Sequence, residues 1–158
     1  YSRGELLHIS TDSLTTAGTI ILLTGAGGAF KQLLIDTGAG ETIANAVKAG
    51  GMSPLVFAFL LALIVRVLQG SATVAMITGA GLVAPVLDPE MSPIQLALIV
   101  IAIASGATAL SHVNDSGFWL VNRYLGLTEK QTLQSWTLLT TVVGGCGLLF
   151  CLVVWWFV

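Results

Sequence analysis

A polar cluster at residues 111–116 interrupts a chain that otherwise contains few charged residues. Its side chains are Ser111, His112, Asn114, Asp115 and Ser116. Residues 91–114 contain no Asp, Glu, Lys or Arg, and neither do residues 131–158. Serine and asparagine donate and accept hydrogen bonds, while histidine and aspartate take up and release protons. Such a cluster could bind a polyhydroxylated acid and a proton, or it could be an ordinary loop just outside a bilayer.

A second group of candidate residues lies in the sequence Gly-Ser-Ala-Thr at 70–73. Ser71 and Thr73 stand there between two apolar runs. Small residues at a helix connection can leave backbone N–H groups free, and a helix N-terminus attracts a carboxylate. The same residues could equally form a packing face that continues through the small residues at 79–81. The sequence leaves these two interpretations open.

Arg66 is the charged residue closest to this small-residue stretch. It lies four residues before Gly70 and follows an apolar run. Its guanidinium could pair with a substrate carboxylate or with Asp115, or it could extend to the lipid headgroups. The sequence alone does not choose among the three.

The composition indicates that most of the chain is dissolved in lipid. Of its 158 residues 55% are hydrophobic and only 9% are charged, against about 25% charged in soluble domains. Because helices satisfy their own backbone hydrogen bonds, we expect an all-α integral membrane protein. A net charge of −2 gives no basic surface for nucleic acid. Cys146 and Cys151 have neither metal-ligand nor disulfide-framework spacing, and we expect no metal, cofactor or catalytic site.

The apolar stretches predict the order of the membrane segments. The expected segments are a solvated lead-in at 1–12, a helix with a polar return at 13–48, a hairpin at 52–87, a broken helix at 91–124 and a last transmembrane helix at 131–158. The two hairpin arms are shorter than the roughly 20 residues that cross a bilayer, so we expect the hairpin to be re-entrant. Thr128 is the expected N-cap of the last helix. The chain begins at Tyr1 rather than Met, so we expect it to be a C-terminal portion of a longer protein.

Three sequence strings resemble the gluconate permease family of proton symporters. They are GAGGAFKQ at 25–32, GSATVAM at 70–76 and SHVNDSGFW at 111–119. The resemblance covers nearly the whole chain in the order of the family, and the third string is the most specific. It implies a multi-pass protein of the bacterial inner membrane that works with the missing N-terminal part of the same chain. Its implied partners are gluconate or a related sugar acid, protons and membrane lipid.

The chain is more remotely similar to an ion-transporter superfamily that includes sodium-coupled carriers of divalent anions. This likeness implies the second half of an inverted-repeat transporter, in which a hairpin tip and a broken helix meet at the substrate. Ala72 stands where those remote relatives carry Asn at the tip, which favours proton coupling over sodium coupling.

The resemblance leads to specific expectations for the site residues. Asp115 or His112 would carry the proton. The expected substrate-binding residues are Arg66, Ser71, Thr73, Ser111, Asn114 and Ser116. Arg66 would balance the substrate carboxylate.

Three other functions stay open at this point. The chain could belong to a carrier of another small hydroxy acid or of an amino acid within the same family. More remotely, Ser71 and His112 could be the nucleophile and base of an intramembrane serine protease, although Gln69 stands where such a protease motif needs Gly. A structural or accessory membrane subunit is the third alternative.

Overall fold

The structure is a computed structural model that describes residues 2–38, 42, 45–46 and 49–158. Residues 39–41, 43–44 and 47–48 of the predicted polar return lie outside the described residues. Within the described ranges the chain is helical and contains no strand, which confirms the all-α prediction. The helices are α1 (Arg3–Asp36), α2 (Pro54–Gln69), α3 (Ala72–Val83), α4 (Pro93–Thr108), α5 (Ser116–Tyr124) and α6 (Glu129–Trp155).

Helix α1 begins near the start of the chain. It includes residues 3–12, which the sequence analysis treats as a solvated lead-in, and the described side chains there are exposed. The glycine-rich string at 25–32 lies inside the same helix. Helix α1 packs mainly on α3.

Helices α2 and α3 are joined by only two residues and pack against each other. Pro54 opens α2 at a position where its missing N–H is not needed. Gly70 ends the helix with φ at 77°, a left-handed conformation that favours glycine. Ser71 then caps α3, its hydroxyl oxygen accepting from Val74 N at 3.3 Å. The helices have 16 and 12 residues, both shorter than the roughly 20 needed to cross a bilayer.

Small residues allow α4 to lie close to both α2 and α6. A Cβ on Gly106 of α4 would overlap the backbone of Phe59 in α2. On the other side, a Cβ on Gly144 of α6 would come within 2.6 Å of the Ser105 carbonyl oxygen. Such close backbone contact is the usual packing mode of helices in lipid, where dispersion replaces the hydrophobic effect.

Helix α6 is the one helix among the described residues that is long and apolar enough to cross a membrane. It has 27 residues, and its most apolar 18-residue stretch has a mean hydropathy of 2.2. Thr128 caps its start by accepting from Gln131 N at 3.3 Å, which confirms the predicted N-cap. Its second turn, Leu133–Thr137, is a π-helix. Large apolar side chains such as Leu149 and Phe150 are exposed on its outer face, as lipid-facing residues are.

The chain between α4 and α5 is not helical. Helix α4 ends at Thr108 and α5 begins at Ser116. Leu110 adopts a positive φ of 52°, which is unusual for a residue other than glycine. This break contains the predicted polar cluster except Ser116, which begins α5. It lies between the α2–α3 connection and the π-helical turn of α6.

Candidate functional site

A buried ion pair connects the end of α2 with the start of α5. The Arg66 guanidinium Nη2 donates to Asp115 Oδ2, and the two side chains are only 4% and 11% exposed. Removing two charges from water is costly, so such pairs persist when further hydrogen bonds satisfy both partners. Ionisable pairs of this kind in an apolar helical protein mark ion or substrate paths.

The Asp115 carboxylate is held by three elements of its surroundings. Besides the Arg66 contact, its Oδ2 accepts from the Ser111 hydroxyl, and its Oδ1 accepts from Gly117 N at 2.9 Å. Asp115 is thus the N-cap of α5. The partial positive charge of the helix N-terminus and the guanidinium both stabilise its negative form.

Arg66 makes a second contact that closes the end of its own helix. Its Nη1 donates to the carbonyl oxygen of Gly70, one of the groups that a helix C-terminus leaves unpaired. Its Nε is buried and has no partner among the described residues. The Nε–H is therefore an unused donor beside the ion pair.

Asn114 fastens the break to the tip of the α2–α3 hairpin. Its Nδ2 donates to the carbonyl oxygen of Val67 at 2.8 Å. A Cβ on Gly70 would overlap the Asn114 backbone, so only glycine permits this approach. The tip and the break are therefore in direct backbone contact.

Three side chains of α6 form hydrogen bonds with Ser111. The Ser111 amide donates to Thr140 Oγ1 at 3.2 Å, and its carbonyl accepts from the Thr137 hydroxyl. The indole Nε1 of Trp136 donates to Ser111 Oγ at 2.8 Å. The residue is 1% exposed, so its polar groups find their partners within the protein.

The other predicted site residues lie outside this network. Ser71 uses its hydroxyl as the cap of α3, and Thr73 and Ser116 are exposed at the first turns of α3 and α5. His112 is half-buried, with Nδ1 at 3.1 Å from the Leu110 carbonyl oxygen. The structure thus brings together Arg66, Ser111, Asn114 and Asp115.

A small cavity adjoins the break. It has a volume of about 170 Å³ and is lined by Val67, Leu110, His112 and Thr137. Pockets for small molecules usually measure roughly 300–1,000 Å³. The cavity in this chain is therefore smaller than a usual small-molecule pocket.

The α6 side chains of the site were not among the residues predicted from the sequence. Trp136, Thr137 and Thr140 all contact Ser111. A signal was present, because these polar groups cluster within an otherwise apolar run at 131–158. Their contact partners, however, depend on how α6 packs across the break.

These features define the class of the protein. Short apolar helices, a helix break and a buried ion pair between a hairpin tip and that break are typical of membrane transporters. Comparison with known sequences identifies the family. The chain belongs to the GntP family permeases, whose family model matches residues 1–158.

Several curated relatives are similar over most of this chain. A low-affinity gluconate transporter of Escherichia coli K12 is 43% identical over 146 residues, which cover 92% of this chain and 33% of the transporter. A gluconate permease of Bacillus subtilis is 46% identical over 145 residues, covering 89% of this chain and 32% of the permease. A gluconate permease of Pseudomonas aeruginosa is 40% identical over 156 residues, 96% of this chain and 34% of the relative. The chain spans about a third of the length of the curated relatives it matches.

The family assignment agrees with the composition in placing the chain in a membrane. The relatives are named permeases and transporters, so this is a family of transport proteins and not of enzymes. The serine protease alternative is therefore wrong, and Ser71 Oγ serves as a helix cap. No solved structure gives a significant match to the chain.

Proposed function

We propose that this chain is part of a secondary active transporter that imports gluconate, or a related sugar acid, together with protons. The family and the names of the gluconate-transporting relatives support the substrate. The buried Arg66–Asp115 pair is the observation that carries the coupling. Because the chain spans about a third of its relatives, we propose that it works with the remaining part of a full-length permease.

The ion pair suggests how proton and substrate are coupled. Arg66 holds one carboxylate, that of Asp115, in the structure. A proton on Asp115 removes its negative charge and weakens its hold on the guanidinium. A sugar-acid carboxylate then takes its place on Arg66, with the buried Nε available as a further donor.

Charge balance explains why the two events occur together. A net charge buried at membrane depth is costly. With Asp115 ionised, the site holds one cation and one anion. With Asp115 protonated and a sugar acid bound, it again holds one cation, Arg66, and one anion. Either ligand without the other leaves an unpaired charge, so proton and anion are taken up as a pair.

The remaining predicted residues have accessible positions for binding hydroxyl groups. Thr73 and Ser116 are exposed at the first turns of α3 and α5, near the hairpin tip and the break respectively. Asn114 is also exposed, although its amide already donates to Val67 O. We propose that these side chains, with Ser71, bind the sugar-acid hydroxyls. Ser111, whose polar groups are already paired, would orient Asp115.

The lengths of the helices support a re-entrant hairpin. Helices α2 and α3 are each too short to cross a bilayer in one pass, yet their tip contacts the break. We propose that the hairpin enters and leaves from one side of the bacterial inner membrane and ends at the substrate site. In this proposal the chain is the second half of a multi-pass, inverted-repeat transporter, and the other half completes the small cavity beside His112.

A carrier of a different small hydroxy acid or of an amino acid is the second candidate. Relatives whose names specify no substrate match as well as the gluconate transporters do. The inner membrane permease YgbN of Escherichia coli is 42% identical over 157 residues, and the permease YojA of Bacillus subtilis is 44% identical over 147. Similarity within this chain therefore does not separate the substrates.

Uptake of labelled gluconate by cells that produce the full-length permease tests the proposal. We expect accumulation that collapses when a protonophore is added and that is competed by close sugar acids. Replacement of sodium by choline should leave uptake unchanged. If the permease reaches the membrane but takes up no gluconate, the same assay with other hydroxy acids and amino acids decides for the second candidate. Gluconate binding by the permease would also exclude an accessory role.

A further inference from the structure

We propose that Trp136 is a positioning residue of the transport site, which acts through Ser111 to hold the Asp115 carboxylate on Arg66. This inference rests on the proposed function, because it assigns a role within the same site. It makes α6 an active part of the site, whereas the sequence predicted only a membrane-spanning helix there.

The direction of the hydrogen bonds carries the inference. An indole N–H can only donate, so Ser111 Oγ must accept from Trp136 Nε1 at 2.8 Å. The single hydrogen of that hydroxyl is then directed to Asp115 Oδ2. The tryptophan thus fixes the orientation of the serine hydroxyl, and a donor chain of this kind strengthens the bond to the carboxylate.

Few other groups contact the Asp115 carboxylate and could affect its protonation. Arg66 of α2 is the charged group that contacts it, and the Gly117 amide of α5 is uncharged. His112, in the same break, lies against the Leu110 carbonyl. Helix α6 therefore reaches the carboxylate through the neutral Trp136–Ser111 chain.

The π-helical turn explains how one face of α6 contacts both α5 and the break. Thr132 immediately precedes this turn, is buried, and accepts a hydrogen bond from Asn122 of α5. Thr140 follows the turn and is buried against Ser111. A regular α-helix would leave these two side chains about 80° apart, because each residue turns by about 100°. One extra residue in a π-turn reduces the difference to about 20°. The turn therefore lets one helix face serve both neighbours.

A matched pair of tryptophan substitutions tests this role in the full-length permease. W136F removes the indole donor to Ser111, and W119F removes an indole that donates to the backbone carbonyl of Val113 at 2.8 Å in the same break. We expect W136F to raise the pH of half-maximal gluconate uptake on the order of half a unit, because the carboxylate then accepts a proton more readily. W119F should leave that pH unchanged.

S111A should shift this pH in the same direction and at least as far, because it removes the hydroxyl that bonds Asp115. The double variant W136F/S111A should match S111A, because both substitutions act through one chain. Equal pH profiles for W136F and W119F would overturn the proposal. Shifts of W136F and S111A that simply add would do the same.

A spectroscopic measurement separates this inference from the proposed function. The purified permease labelled with 5-fluorotryptophan gives ¹⁹F signals that W136F and W119F assign. We expect D115N to move the Trp136 signal and to leave the Trp119 signal in place. If the wild-type protein took up no gluconate but showed this pattern, the proposed function would fail and the positioning role would stand. An unmoved Trp136 signal in D115N would refute the role even with normal uptake.

Discussion

Arg66 and Asp115 are 49 positions apart in the chain and form a buried ion pair. Their contact joins the last turn of α2 to the N-cap of α5, so the hairpin and the broken helix share one electrostatic centre. Close backbone contacts bring the two sides of this centre together.

Breaking the ion pair on one side should destabilise the protein more than removing both charges. R66M leaves the Asp115 carboxylate buried without its partner, and such losses cost about 3–5 kcal/mol. R66M/D115N removes the charge and retains an N-cap, since Asn is as good a cap as Asp. We therefore expect the double variant to unfold at a higher temperature than R66M, measured by thermal unfolding in detergent.

The exposed Arg123 of α5 provides the control for this comparison. R123M should unfold close to the wild type. A double variant less stable than R66M would show that the pair does not act as a unit. Both Arg66 variants should lack uptake, because the guanidinium is absent.

Gly70 should tolerate alanine far less well than Gly126 does. Both have positive φ, 77° and 61°, so alanine is strained at either position by roughly 1–2 kcal/mol. Only at Gly70 would the new Cβ also overlap the Asn114 backbone. G70A should therefore lower the unfolding temperature more than G126A and separate the tip from the break. Equal losses would argue that the tip and the break are not in contact.

Two neighbouring glycines in α6 should respond in opposite ways to alanine. A Cβ on Gly144 would lie 2.6 Å from Ser105 O and 2.7 Å from Ala109 Cβ, whereas a Cβ on Gly145 meets nothing within 4 Å. G144A should be destabilising because α4 and α6 must separate. G145A should be neutral or slightly stabilising, by up to about 1 kcal/mol, since alanine favours helix. Thermal unfolding of the two variants side by side checks this, and a reversed order would contradict the packing.

Asp115, and not His112, should be the residue that couples transport to protons. Asp115 is buried on Arg66, whereas the His112 ring is half-exposed beside the backbone of its own loop. D115N should abolish accumulation but preserve exchange of gluconate across vesicles, which needs no net proton movement. H112Q should still accumulate gluconate. Accumulation by D115N together with its loss in H112Q would assign the proton to the histidine.

The sequence by itself determined the properties that depend on residue type and local order. A charged content of 9% and long apolar runs predict a helical membrane protein. Thr128 is recognisable as an N-cap because the capping interaction reaches only three residues along the chain. The string at 111–119 indicates the family and the location of the polar cluster, since both are properties of the sequence.

The tertiary structure decided which of the polar residues act together. The sequence allowed Arg66 three partners, and only the packing of α2 against the break selects Asp115. Trp136 was not predicted to be a site residue, because its contact with Ser111 spans 25 positions. That contact also lies in a π-turn that no local sequence pattern predicted. Contacts between distant segments depend on how whole helices pack. The partners of a buried ion pair are therefore determined only when that packing removes both charges from water.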